Sequence, residues 1–186
     1  MHYSKGFGVQ SPFAYSFITE VVNQNSLFYN YCELDKLYGS NGNIKSRLAR
    51  LYFRLSNYCQ PNVVAEYCTS TDSFNKAFHF AHGGIDFKWL DSTVTGNTNN
   101  VENLGNVDIF RIVLNNCFRD VFDRSLLRVT LKSVFILEGI NNNNETKAFW
   151  NEVIENNNAV ITFDLYYVGI VFFDKNYYKQ NYVVNF

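Results

Sequence analysis

Glu66-Tyr67-Cys68-Thr69-Ser70-Thr71-Asp72 lies between an apolar segment, Asn62-Val63-Val64-Ala65, and a stretch of helical spacing that runs from Ser73 to about His82. An apolar strand, a tight loop and a helix in this order form the unit in which α/β proteins cradle a phosphate, ribose or carboxylate. Such loops normally carry glycine, because a Cβ blocks close backbone approach and a positive φ is costly for other residues. Glu66 is the acid that usually precedes the glycines. The two glycine positions that follow it hold Cys68 and Asp72. The stretch reads as a cofactor cradle that has been overwritten.

Working outward, the pattern alternates. Strands are expected at 63–67, 85–90, 107–114 and 133–137, and helices at 73–82, within 118–131 and at 145–155. Alternation of this kind implies a mainly parallel sheet. The last strand pair, 159–165 and 168–173, is joined too closely for a crossover, which needs about a dozen residues, so it is antiparallel. Residues 182–185 read as extended. The segment 92–106 is rich in Asn, Thr and Gly and too short for a βαβ unit of about 30 residues. The third strand and its helices are therefore expected to be missing or reduced to a loop.

Before the first strand, the lead-in 5–10 is glycine-loosened, and Ser11-Pro12 is a helix start, Ser at the N-cap and Pro at the first helical position. Short helices are expected from Pro12 through Val22 and over 31–38. A stronger one covers 43–57, with Leu48, Leu51, Tyr52 and Leu55 on its apolar side and Lys45, Arg47, Arg50 and Arg54 on a solvated basic face. The whole is read as one domain over 1–186, a helical N-terminal extension at 1–60 followed by a sheet domain at 61–186.

The chain has 186 residues, 47% hydrophobic and 18% charged, with net charge −1. That balance gives no electrostatic footprint for nucleic acid or an anionic membrane. The 18 Phe and 13 Tyr, together with abundant Asn, read as compositional drift in an AT-rich genome rather than function. Cys32, Cys59, Cys68 and Cys117 are scattered without a C-x-x-C. No apolar run approaches the ~20 residues of a membrane span, and the first residues lack a secretory pattern. A soluble, reduced, cytoplasmic protein is expected.

Gly6-Phe7-Gly8-Val9-Gln10-Ser11-Pro12-Phe13-Ala14-Tyr15 near the front, Asp164-Leu165-Tyr166-Tyr167-Val168-Gly169-Ile170-Val171-Phe172-Phe173, and Lys179-Gln180-Asn181-Tyr182-Val183-Val184-Asn185-Phe186 carry a resemblance. They are similar to a family of class I S-adenosylmethionine-dependent methyltransferase-like proteins of Bacteroidetes-type bacteria, covering most of the chain apart from 92–106. The resemblance implies a Rossmann-like methyltransferase sheet with an antiparallel C-terminal strand pair. Relatives would carry Glu-x-Gly-Thr-Ser-Thr-Gly after the first strand. Here Glu66, Thr69, Ser70 and Thr71 are kept, and Cys68 and Asp72 depart. Asp91 fits the acid that holds the cofactor's ribose hydroxyls, although Asp91-Ser92 also reads as a simple turn start. The Asp108 strand should end in Asp-Gly but ends in Val113-Leu114. The next should end in paired acids and a nearby His but ends in Glu138-Gly139.

These departures imply a degenerate member that binds no cofactor and serves as a binding or scaffold module. Asp72 would repel the cofactor's own carboxylate. Val113 and Gly139 leave too few oxygen ligands for a divalent metal. The alternative is an active methyltransferase on an unknown small molecule. It would hold S-adenosylmethionine with Glu66, Cys68, Thr69, Ser70, Thr71, Asp72 and Asp91, and use Glu138 as general base. A further alternative is a homo-oligomer or protein-partner module with an aromatic-rich surface. Two lesser readings are a metal site on His79, His82 and Asp86, and Cys68 as a nucleophile whose thiol a helix N-terminus activates.

Overall fold

The computed structural model describes residues 11–39, 42–94 and 97–186. The lead-in 5–10, and with it the front of the resemblance motif, lies outside the described residues. The backbone forms two compact units. One takes the described residues up to Asn62 together with Phe74–Ile85 and Phe186, and the other takes Val63–Ser73 and Asp86–Asn185.

The first unit is helical. Helix α1, Pro12–Phe17, starts as expected: Ser11 is the N-cap, its hydroxyl accepts from the Ala14 N–H at 3.3 Å, and Pro12 needs no N–H partner. It runs on into a π turn over Ile18–Val22. Helix α2, Tyr31–Tyr38, stops at Gly39, whose φ is 100°. Helix α3, Ile44–Cys59, is capped by the Asn43 side chain and ends on Gln60 in the left-handed region. Helix α4, Asn75–Ala81, lies against α3: Tyr52 meets Phe74 edge-on at 5.0 Å and stacks on Phe78 at 5.6 Å.

The basic face of α3 is the expected solvated surface only in part: Lys45 is exposed and Arg47 half-buried. Arg54 is buried, with its Nε donating to the Val21 carbonyl, Nη2 to the Val22 carbonyl at 3.3 Å and Nη1 to the Tyr31 hydroxyl at 2.9 Å. It thereby satisfies carbonyls that the end of the π turn leaves open. Arg50 pairs with Asp35 at 2.5 Å; burial pushes that carboxyl up, but the Ser46 bond and the Arg50 bond and charge together outweigh it and leave the carboxyl below its ordinary value. His79 sits on α4, but the helix stops at Ala81 and His82 is extended, so the two do not share a helix face. Among the described residues no group of three His, Cys, Asp or Glu is placed to hold a metal.

The second unit is a seven-stranded sheet. Its strands are β1 Val63–Cys68, β2 Asp86–Asp91, β3 Ile109–Val113, β4 Val134–Glu138, β5 Ile161–Asp164, β6 Val168–Phe172 and β7 Gln180–Val183, in the order β2-β1-β3-β4-β6-β5-β7. Strand β6 alone runs against its neighbours, β4 on one side and β5 on the other. The antiparallel pair is where the short 165–167 connection puts it. Strand β7 begins before the expected 182 and lies parallel to β5 at the edge. Strand β2 is the other edge. Between it and β3 the described residues hold a 3-10 stretch, Asn97–Leu104, and no strand, so the expected loss of the third strand stands.

The central strands are apolar on both sides, as buried parallel strands are. Ala65, Tyr67, Phe110, Ile112, Phe135 and Leu137 face one way, into a core shared with helix α5, Phe118–Leu126, and helix α6, Asn144–Glu155. Glu66, Cys68, Arg111, Val113 and Glu138 alternate with them and face the other way. A period of two thus gathers the only charges of β1, β3 and the end of β4 on one sheet face. Among the described residues no helix is long and apolar enough to cross a membrane.

Candidate functional site

The carboxyl ends of β1, β3 and β4 are where an open α/β sheet presents a ligand site. Here they hold an ion-pair group built from the chain itself. Arg111, in the middle of β3 and opposite Glu66 in register, is fully buried. Its Nη1 donates to Glu66 Oε1 at 3.0 Å, and its Nε to Glu138 Oε2 at 2.8 Å. Glu66 is also fully buried, and its second oxygen accepts from the Ser73 hydroxyl at 2.6 Å. The Glu138 side chain is 21% exposed, the one opening of the group towards solvent.

Cys68 closes β1. Its side chain is buried, its Sγ lies 3.9 Å from Glu66 Oε2, and its carbonyl accepts from both the Trp89 indole N–H and the Ser92 N–H at 3.2 Å. Burial, with Glu66 adding to it, pushes the thiol up to about 12. Activation of Cys68 by a helix N-terminus is thus overturned: the residue is in a strand, α4 starts only at Asn75, and desolvation of the thiolate dominates.

The loop after it is a 3-10 turn over Ser70–Asp72. The Thr69 hydroxyl donates to Asp72 Oδ2 at 2.6 Å and lies 3.0 Å from the Thr71 hydroxyl, and the Asp72 N–H donates to the Thr69 carbonyl at 3.1 Å. Neither Cys68 nor Asp72 has a positive φ. The non-glycine residues therefore cost no backbone strain, because the loop has settled into a shape that any residue adopts.

Asp91 ends β2 in register with Cys68, and its Oδ1 accepts from the Thr93 N–H at 2.9 Å and hydroxyl at 2.8 Å. That is the local turn bond of an Asx motif. The ends of β2 and β3 are tied by Asn115 Nδ2 donating to the Ser92 hydroxyl at 2.9 Å, and the Tyr67 hydroxyl donates to the Asn116 carbonyl at 2.6 Å. Burial first, then the charges of Cys117, Asp120 and Asp91, raises the Tyr67 phenol to about 12. After β4 the chain turns at Gly139, where φ is 93° and a Cβ would stand 2.5 Å from Asn142 Nδ2.

The structure thus brings Glu66, Cys68 and Glu138 together around one guanidinium. Thr69, Ser70, Thr71 and Asp72 form a self-bonded turn, and Asp91 bonds within its own turn. Sequence reasoning missed Arg111. Its signal was the run Ile109-Phe110-Arg111-Ile112-Val113: a cation in a fully apolar strand must be paired or it would not be buried.

Two alkaline measurements follow from the raised thiol and phenol. Iodoacetamide at pH 8–9 is expected to label exposed Cys32 and Cys117 and to spare Cys68 in the folded chain, as read by peptide mass spectrometry. Both groups have folded values above their unfolded ones. Their contribution is intact below about pH 9, and stability is lost as pH rises towards 12. Rapid labelling of Cys68 without unfolding contradicts this burial.

No family model matches the sequence, and no curated protein matches it. Solved structures do match in fold. The SAH-bound methyltransferase PaMTH1 of Podospora anserina is 10% identical, with 87% of this chain covering 93% of that one at a TM-score of 0.50. The MycE methyltransferase of the mycinamycin biosynthetic pathway, in complex with Mg and SAH, is 14% identical over 83% of this chain at a TM-score of 0.50. The chain spans 50% of MycE. At these identities the likeness is one of fold: a Rossmann-like, methyltransferase-type sheet.

Proposed function

We propose that this chain is a methyltransferase fold without a working cofactor site, and that it acts as a binding or scaffold module. The observation that carries this reading is Arg111, fully buried between Glu66 and Glu138 at the strand ends. S-adenosylmethionine presents a sulfonium and an ammonium as well as a carboxylate. Carboxylates at the strand ends would attract its cationic groups, and here one guanidinium engages both Glu66 and Glu138 and cancels one of their two charges. Asp72 adds a negative charge beside the loop, and the missing third strand shortens the wall that would enclose adenine. Small-molecule sites normally bury roughly 70–90% of their ligand. A homo-oligomer or a protein partner fits such a module, and a small-molecule substrate belongs to the active reading alone.

Millimolar S-adenosylmethionine or SAH is expected to leave the melting temperature unchanged. A ligand at about 100 times its Kd would add ~2.7 kcal/mol and a visible shift. Cys68→Gly with Asp72→Gly is expected to bind no better, because those positions need no glycine and Arg111 stays in place. The double variant should also be less stable by about 1–2 kcal/mol, from glycine in a strand and the lost Thr69 bond. Micromolar calorimetric binding to the parent chain would sink the proposal in favour of an active enzyme holding its cofactor with Glu66, Asp91 and the Thr69–Thr71 backbone, with Glu138 as base.

A further inference from the structure

At the opposite end of the sheet from Arg111, a cleft of about 550 Å³ is lined by Leu126, Val129, Thr130, Leu131, Asn158, Phe173 and Lys175. It opens beside the amino ends of β4 and β5, where Phe173 leaves β6. Its volume falls within the roughly 300–1,000 Å³ of small-molecule sites, and four of its seven lining residues are apolar. Phe173 is almost fully buried and fixed edge-on to Phe135 at 4.8 Å, so the floor is rigid. Leu131 is 55% exposed at the rim, an apolar surface left in water.

Its polar lining residues, Thr130, Asn158 and Lys175, include one cation and no acid. Among the described residues, the Lys175 ammonium and the Asn158 carboxamide make no hydrogen bond or ion pair with the chain. The neighbouring Asp174 carboxylate is turned onto the Asn176 N–H and side-chain amide at 3.0 and 2.8 Å. From Arg124 to Leu137 the sequence holds Arg124, Arg128 and Lys132 and no acid. Arg124 is spent on Asp120 and Glu102, and Arg128 and Lys132 are exposed. The cleft is therefore a partly apolar hollow with one cation and one amide donor in its lining.

We infer that this cleft binds a small amphipathic carboxylate, with its hydrocarbon body against Leu126, Val129, Leu131 and Phe173 and its carboxylate on Lys175 and Asn158. An ammonium gives a carboxylate a charge-assisted hydrogen bond, and an amide N–H offers a second donor. The inference does not depend on the state of the other strand ends, and a failure of either reading leaves the other in place.

The test is calorimetric titration of the whole chain with sodium octanoate below its micelle concentration, with octylammonium as the opposite-charge control. Octanoate is expected to saturate one site and octylammonium not to bind. Lys175→Glu is expected to weaken octanoate by about tenfold, and Leu131→Asp should weaken it as well. Both residues are exposed, and thermal melts check that the variants fold. Amide shift changes in the parent chain provide a readout without mutation and are expected at 126–131, 158 and 173–175. No octanoate binding, equal binding of octylammonium, or shift changes centred elsewhere each overturn the site.

Discussion

Arg111→Met is expected to destabilise the fold by about 3–5 kcal/mol, the usual cost of removing one partner from a buried ion pair. The cause is not the loss of a favourable bond alone. Glu66 has no exposure, so without the guanidinium its carboxylate loses its ion-pair partner in a desolvated site, with the Ser73 hydroxyl and the Cys68 thiol beside it. Against a total stability of roughly 5–15 kcal/mol this is a large fraction. Urea unfolding midpoints measure it. The triple change Glu66→Gln, Arg111→Met and Glu138→Gln is expected to recover most of the loss, because an uncharged group of similar volume costs far less to bury than an unpaired charge. A loss below about 1 kcal/mol for Arg111→Met would show that these charges are not each other's main compensation.

Gly169→Ala is expected to cost about 2–3 kcal/mol by overpacking, and to lower the melting temperature by roughly 5–10 °C for a chain of this size. A Cβ on Gly169 would lie 2.4, 2.6 and 2.8 Å from three ring carbons of Trp150. The indole cannot swing away freely. It is buried, and its N–H donates to Asp164 Oδ2 at 3.0 Å on the neighbouring strand β5. Gly169 itself pairs with Leu137 on one side and Asp164 on the other, so β6 has no free edge along which to shift. An unchanged melt would mean that the ring has room the packing does not show.

The fold was largely legible because its signals are local. Ser11-Pro12 announces a helix start through its own residues, and the brief link between residues 164 and 168 forces the antiparallel pair. The deficit between Asp91 and Asp108 is a matter of length alone. What could not be read depends on partners far apart in sequence. Arg54 reads as a surface cation on α3 until the Val21 and Val22 carbonyls, some thirty residues earlier in the chain, are seen to receive it. The Glu66–Arg111–Glu138 group joins three strands, and only their order in the sheet makes them neighbours. The loop was misjudged in a subtler way. Cys68 and Asp72 looked like obstacles in a glycine shape, whereas the backbone has abandoned that shape.

Strand β2 has a consequence for how such a chain survives losing an outer strand. A newly uncovered edge is a template on which other molecules can add strands, and deletions of this kind invite polymerisation. Here the rim sequence Asp86-Phe87-Lys88-Trp89-Leu90-Asp91 carries a charge at its start, middle and end. The Lys88 ammonium also reaches over to the Leu104 carbonyl at 2.8 Å, fastening the shortened connection to the strand it no longer extends. Spaced charges and a tethered connection together leave this edge poorly suited to taking up a further strand.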